Sequence, residues 1–308
     1  SLPMNSALYT RLKLGRFQGI FLVGIFWGLI LACSSQKADT RQVFRMPISN
    51  EPPTLDWTLA TDSVSFDILT NIMEGLTQYN SDMEPIPAIA ERWETSDNGK
   101  VITYYLRDDV LWTDGQSVKA SDFEYSWKRL LNPATAAQYA YFLFDIENAY
   151  EYNSGKITDP SKVGVSAKSE LILEVRLKKP VVYFPSITTF MVTFPQRRDI
   201  VEKFKDHWTD PDKIVTNGPF KLSGWKHEYK LELTANNEFY EGRPPLDMIV
   251  AYVVREKTTA LTLYETGELE MVELPPVAIP HFKKHEEYDS LPQLRGYYYG
   301  INVAKPPF

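Results

Sequence analysis

Residues 89–129 read IAERWETSDNGKVITYYLRDDVLWTDGQSVKASDFEYSWKR, from Ile89 to Arg129. Val101 to Leu106 is rich in β-branched and aromatic side chains, the composition of a strand. Asp114-Gly115 is a turn signal. Ser121-Asp122-Phe123-Glu124 has the spacing of a capping box, so a helix begins there and runs through Trp127 and Leu130 until Asn132-Pro133 stops it. Trp93 and Trp112 flank the strand at a spacing that packs both around it. We therefore read Trp93, Trp112, Asp114 and Trp127 as determinants of the fold and not as ligand contacts.

Outward from this stretch, strands and helices alternate without a regular order. Gln42 to Met46 reads as a strand, followed by a proline-rich loop, Asn50 to Asp56. Phe66, Leu69, Ile72, Met73 and Leu76 recur at helical spacing, which predicts an amphipathic helix from Ser65 to Leu76, ending near Gly75. In Leu171–Leu177 the apolar residues Leu171, Leu173, Val175 and Leu177 alternate with Ile172, Glu174 and Arg176, a half-buried strand. Further strands are expected at Lys221–Trp225, Lys230–Thr234, Met248–Val254 and Tyr297–Val303. A helix is expected at Thr258–Thr266, closed by Gly267. Clean βαβ units are few, so the expected class is mixed α/β. Tyrosines, phenylalanines and tryptophans are plentiful, and most belong to a core, although Tyr and Trp also suit a binding cleft.

The N-terminal region is of a different kind. Arg11, Lys13 and Arg16 precede an uncharged run, Gly19 to Ala32, and no acid occurs before Asp39. A basic segment, a short apolar segment and a small residue form the pattern of a secretory signal. The run is shorter than the ~20 residues that a comfortable transmembrane helix needs. Leu29-Ile30-Leu31-Ala32-Cys33 resembles the lipobox of bacterial lipoproteins. That likeness implies a signal over residues 1–32, lipid on the Cys33 thiol and a tether over 33–41. The expected location is exported and lipid-anchored to the cell membrane, on its periplasmic or extracellular face. Ser34 stands where an aspartate would resemble an inner-membrane retention signal.

The chain has 33 Lys+Arg against 40 Asp+Glu. Removing the three basic residues of the signal leaves 30 against 40, a net charge of −10. Nucleic acid and anionic lipid require a basic face, so neither is the expected partner. Cys33 is the single cysteine, so once it is acylated stability rests on a core and not on a disulfide.

Catalytic patterns are weak. His281 and His285 are four residues apart and would share the face of a helix. A zinc protease needs Glu beside the first His, and here Phe282 follows. Ser34-Ser35-Gln36-Lys37 has Ser-x-x-Lys spacing but lies in the tether. G-x-S-x-G and G-x-x-x-x-G-K-[ST] are absent from the sequence. The expectation is a non-enzyme with no catalytic residues, metal or cofactor.

The stretch from Ile89 to Arg129, together with Asn132-Pro133, Tyr139-Ala140, Ile214 to Phe220, Thr266 to Met271, Tyr297-Tyr298-Tyr299 and Lys305-Pro306-Pro307-Phe308, resembles family 5 extracellular solute-binding proteins. The likeness extends over essentially everything after residue 41 and is nearest to oligopeptide-binding receptors of peptide ABC importers. It implies a mixed α/β fold of the periplasmic-binding-protein-like class II, with the C-terminal lobe missing. Domain I would comprise 42–76 and 196–294, domain II 77–195, and 295–308 would begin a truncated domain III. The implied activity is capture of extended oligopeptides in a closing cleft, by a monomer that delivers them to ABC permease subunits. Other family 5 ligands (a dipeptide, nickel chelate, haem or oligosaccharide) are the nearest alternative, and a surface adhesin or chaperone lipoprotein is another.

A receptor for peptides of many sequences must satisfy the ligand main chain, which is common to all of them. By resemblance, one such edge is Thr61, Asp62 and Ser63, just before the first helix. Tyr139, Tyr297 and Tyr298 match ligand-contacting positions. Gly300 stands where near relatives carry an acid, and Arg295 where they carry a disulfide partner, which would shift preference among peptides of different charge or length.

Overall fold

The computed structural model describes residues 41–290 together with 299, 301, 303, 304 and 306. Cys33, Arg295, Tyr297, Tyr298 and Gly300 lie outside the described residues. From the N-terminal side, strand β1 (Val43–Ile48) leads through a loop to helix α1 (Ser63–Ile72) and the hairpin of β2 (Thr77–Tyr79) and β3 (Pro85–Pro87). Then come β4 (Ala90–Ser96), β5 (Val101–Leu106), helix α2 (Ala120–Leu131), β6 (Val165–Ser169), β7 (Ile172–Arg176) and helix α3 (Arg198–Phe204). The chain continues through β8 (Phe220–Lys226), β9 (Lys230–Ala235), β10 (Met248–Val253), helix α4 (Lys257–Glu265) and a single turn, α5 (Ile279–Phe282).

Two four-stranded sheets organise these elements. One has the order β1-β10-β9-β8, with β1 parallel to β10 and the other pairs antiparallel. The second, β4-β5-β7-β6, is antiparallel throughout. The chain leaves the first sheet after β1, builds the whole of the second, and returns to complete the first with β8 to β10. This is the mixed α/β class that the sequence predicts.

Alternation is the local cause of the strands. Leu173, Val175 and Leu177 are buried while Glu174 and Arg176 face outward, as the pattern requires. Leu231, Leu233 and Ala235 do the same in β9. Trp112, Trp127, Tyr104 and Phe123 are fully buried, and Trp93 lies 6.3 Å from the Tyr104 ring, so the signature aromatics build the core. The indole of Trp127 donates to the Thr193 carbonyl at 2.7 Å.

Three expectations need correction. Helix α1 starts at Ser63 and ends at Ile72, not 65–76. Asp62 caps it by accepting from the Ser65 N–H at 2.9 Å. Its end is set from far away: Gly218 packs so closely on Ile72 and Met73 that a Cβ there would lie 2.5 Å from the Ile72 carbonyl carbon, and Met73 is already extended. Helix α2 starts at Ala120, one residue before the proposed cap. The acid that closes its first turn is Asp122, which accepts the Lys119 N–H and the Trp112 indole, both at 3.0 Å. Glu124 instead accepts from the Ala167 N–H and pairs with Lys128. Finally, α5 ends at Phe282, so His281 and His285 do not share a helical face.

Candidate functional site

The loop before α1 is held from below by a buried polar cluster. Asp56, 5% exposed, accepts both guanidinium Nη atoms of Arg129 on α2, at 2.9 and 2.6 Å. The same carboxylate accepts the Thr58 N–H at 3.0 Å. Gln196 donates to the Thr58 hydroxyl at 2.9 Å, and Trp208 stacks edge-on against Trp57 at 4.8 Å. A buried bidentate pair of this kind fixes geometry, because removing one partner leaves an unpaired charge. The loop therefore delivers Thr61, Asp62 and Ser63 to one defined place.

Tyr139 comes to the same place from residue 78 positions away. Its hydroxyl donates to the Thr61 carbonyl at 3.3 Å. The structure thus brings together Thr61, Asp62, Ser63 and Tyr139, the four candidate residues that it describes. It also revises their geometry. Asp62 is extended, with φ −113° and ψ 155°, and Ser63 is already helical, so Asp62 and Ser63 form the head of a helix and not a strand edge. The first N–H groups of a helix have no partner within it. Among the described residues none accepts from the N–H groups of Ser63 and Val64. The site therefore offers main-chain donors beside a tyrosine ring, in keeping with the positive end of a helix dipole.

Sequence reasoning missed the side chains around Tyr139. Phe66, Tyr141, Phe142 and Phe190 all lie within 6.3 Å of its ring centre. A signal was present in the run Tyr139-Ala140-Tyr141-Phe142-Leu143-Phe144, which is dense in aromatics for a segment that forms only a short turn. Phe66 belongs to the apolar period expected for α1, yet it is only partly covered.

A titratable cluster lies at the other end of α1. Asn217 clamps the main chain of Glu74, accepting its N–H at 2.9 Å and donating to its carbonyl at 3.4 Å. The Tyr240 hydroxyl donates to the Glu74 carboxyl at 2.9 Å. Burial pushes Glu74 up to about 7, against the hydrogen bond from Tyr240 and with help from Glu241. Burial and the adjacent Glu74 likewise raise Tyr240, whose ring carries Arg107 at 4.8 Å. On the loop side, burial pushes Glu51 up, but hydrogen bonds from His227, the Glu228 N–H and Trp225 outweigh it and hold Glu51 below its ordinary value.

An open cavity of about 1060 Å³ lies apart from these residues, lined by Tyr264, Leu269, Met271, Ile279, Phe282 and His285 among others. Among the described residues no group of three His, Cys, Asp or Glu side chains is placed to hold a metal ion. No helix among them is long and apolar enough to cross a membrane.

The profile described as Bacterial extracellular solute-binding proteins, family 5 Middle, matches residues 84–308. The dipeptide-binding protein DppE of Bacillus subtilis (strain 168) is 34% identical over 278 residues, covering 89% of this chain and 51% of that protein. The oligopeptide-binding protein OppA of the same organism is 36% identical over 267 residues, covering 84% and 49%. The crystal structure of the substrate-binding domain of an oligopeptide ABC transporter from Bacillus anthracis superposes with a TM-score of 0.77 at 36% identity, over 80% of this chain and 48% of that one. The chain spans about half the length of the curated relatives it matches.

Proposed function

Since the chain belongs to the family 5 bacterial extracellular solute-binding proteins, we propose that it is part of a receptor that captures extended oligopeptides and hands them to the permease of an ABC importer. The head of α1 beside Tyr139 carries this reading. Ser63 and Val64 present main-chain donors, which suit the carbonyls of any peptide irrespective of its side chains. The resemblance to proteins named for dipeptide and oligopeptide binding supports the same ligand class. The receptor is a monomer and not an enzyme. It is exported and tethered by lipid on Cys33.

The two sheets support the division into domains. Strands β1 and β8 to β10 fall within 42–76 and 196–294, proposed as domain I, and β2 to β7 fall within 77–195, proposed as domain II. Residues 295–308 then open the third domain, and Tyr297 and Tyr298, which match ligand-contacting positions by resemblance, are proposed as its contribution to the site.

Amide hydrogen exchange on the full-length protein tests the site. Adding a mixture of tri- to pentapeptides should slow exchange at Ser63 and Val64. Peptide binding with no change at either amide would move the site elsewhere.

A further inference from the structure

Helix α1 joins the proposed site at its head to the Glu74 cluster just past its tail. Its 10 residues span about 15 Å at 1.5 Å each. Ser65, Ile68, Leu69 and Ile72 are buried, so the helix shifts against the core as one piece. The tail is tightly packed. A Cβ on Gly75 would lie 2.6 Å from the Phe194 ring and 2.7 Å from the Thr188 carbonyl oxygen, and one on Gly218 would lie 2.6 Å from the Met73 nitrogen. Asn217 holds the main chain of Glu74 at both its N–H and its carbonyl.

Within this frame the Glu74 carboxyl is half-buried and has little to stabilise it as an anion. Among the described residues its one hydrogen-bond donor is the Tyr240 hydroxyl, at 2.9 Å. No basic side chain stands in the last turn of α1, where a cation would offset the negative end of the helix dipole. Asp67 is the one charged residue within the helix. Glu241, beside Tyr240 on the loop between β9 and β10, repels a charge on Glu74. Arg107, just past β5, sits over the Tyr240 ring at 4.8 Å. Its guanidinium is engaged by Asp109 at 3.0 and 3.3 Å, with Glu91 nearby. Phe194 and Thr188, which pack against Gly75, are uncharged. Burial accordingly pushes Glu74 up to about 7.

From this arrangement, and resting on the reading of the α1 head as the peptide site, we infer that Glu74 is a proton-operated brace: uncharged, it holds α1 where Ser63 and Val64 meet the peptide, and charged, it displaces the helix and weakens capture. An anionic Glu74 gains hydration by turning away from Tyr240. Its main chain is clamped, so the movement passes into α1 and reaches the head. Peptide binding and protonation of Glu74 then favour one another by the same factor, as linkage requires. The receptor captures best in acidic to neutral medium and lets go as the medium turns alkaline.

The test is calorimetric titration of the full-length protein with trialanine and pentaalanine from pH 5.5 to 8.5. Across that range wild-type affinity should fall about tenfold relative to Glu74→Gln, centred near pH 7. Glutamine keeps an acceptor for Tyr240 and never ionises. Comparison with this variant cancels the titration of the peptide amine and of the four histidines. Tyr240→Phe removes the donor that favours the charged form, so its fall in affinity should come about one pH unit higher than in wild type. Parallel profiles for wild type and Glu74→Gln would overturn the brace and leave the receptor reading standing. If Glu74→Gln fails to fold, Tyr240→Phe decides, and a profile that does not move overturns the brace. Failure of the wild type to bind either peptide at any pH would overturn the receptor reading, and the brace with it.

Discussion

Replacing Glu74 with Gln isolates the energetic consequence of burying a carboxyl at the end of α1. Glu74 has an ordinary value of 4.5 and is pushed up to about 7 in the fold. Folding therefore takes up a proton between these limits. The native state is favoured while the group is protonated in both states, and that advantage is lost as pH rises from about 4.5 through 7. A shift of about 2.5 units at 1.36 kcal/mol per unit gives roughly 3 kcal/mol of destabilisation above pH 7. Glutamine keeps an oxygen acceptor for the Tyr240 hydroxyl but cannot ionise. Urea unfolding of both proteins at pH 5, 6, 7 and 8 reads the effect as a difference, so that other titrating groups cancel. The two should be of similar stability at pH 5, and the variant should be more stable by about 3 kcal/mol at pH 8. Parallel stability curves from pH 5 to 8 would refute the reasoning, because they would mean that Glu74 does not change its protonation on folding.

Two further outcomes follow from other parts of the molecule. Arg129→Met leaves the Asp56 carboxylate buried without its bidentate partner and should cost about 3–5 kcal/mol in urea unfolding; a loss below about 1 kcal/mol would show that the cluster does not hold the loop before α1. In cells fed a labelled fatty acid, Cys33→Ser should abolish incorporation and release the protein from the membrane fraction, and a variant that still carries label would rule out acylation of the thiol.

Local signals decided most of the fold. The alternation in Leu171–Leu177 and Lys230–Thr234 gave strands in place, and the aromatic signature became core around β5. Helix ends were less legible wherever a distant residue set them. The apolar period of α1 continues through Met73 and Leu76, both fully buried, yet the helix stops at Ile72 because Asn217 and Gly218, remote in sequence, occupy the next turn. The capping box was displaced for a similar reason: Asp122 was drawn into the first turn by the Trp112 indole, ten residues before it. At the site, resemblance marks Thr61 and Tyr139 as separate ligand-contacting positions, and the structure supplied their pairing and what periodicity could not. Asp62 turns the chain into a helix, so the available groups are helix-head donors, and the rings around Tyr139 come from residues 66, 139–142 and 190, which no single window of sequence unites.

Direct binding remains the strongest test of the central claim. Calorimetric titration of the full-length protein with random tri- to pentapeptides should give saturable heat for many unrelated sequences, as main-chain recognition requires. No heat with any peptide, together with saturable binding of a nickel chelate, haem or an oligosaccharide, would contradict the account.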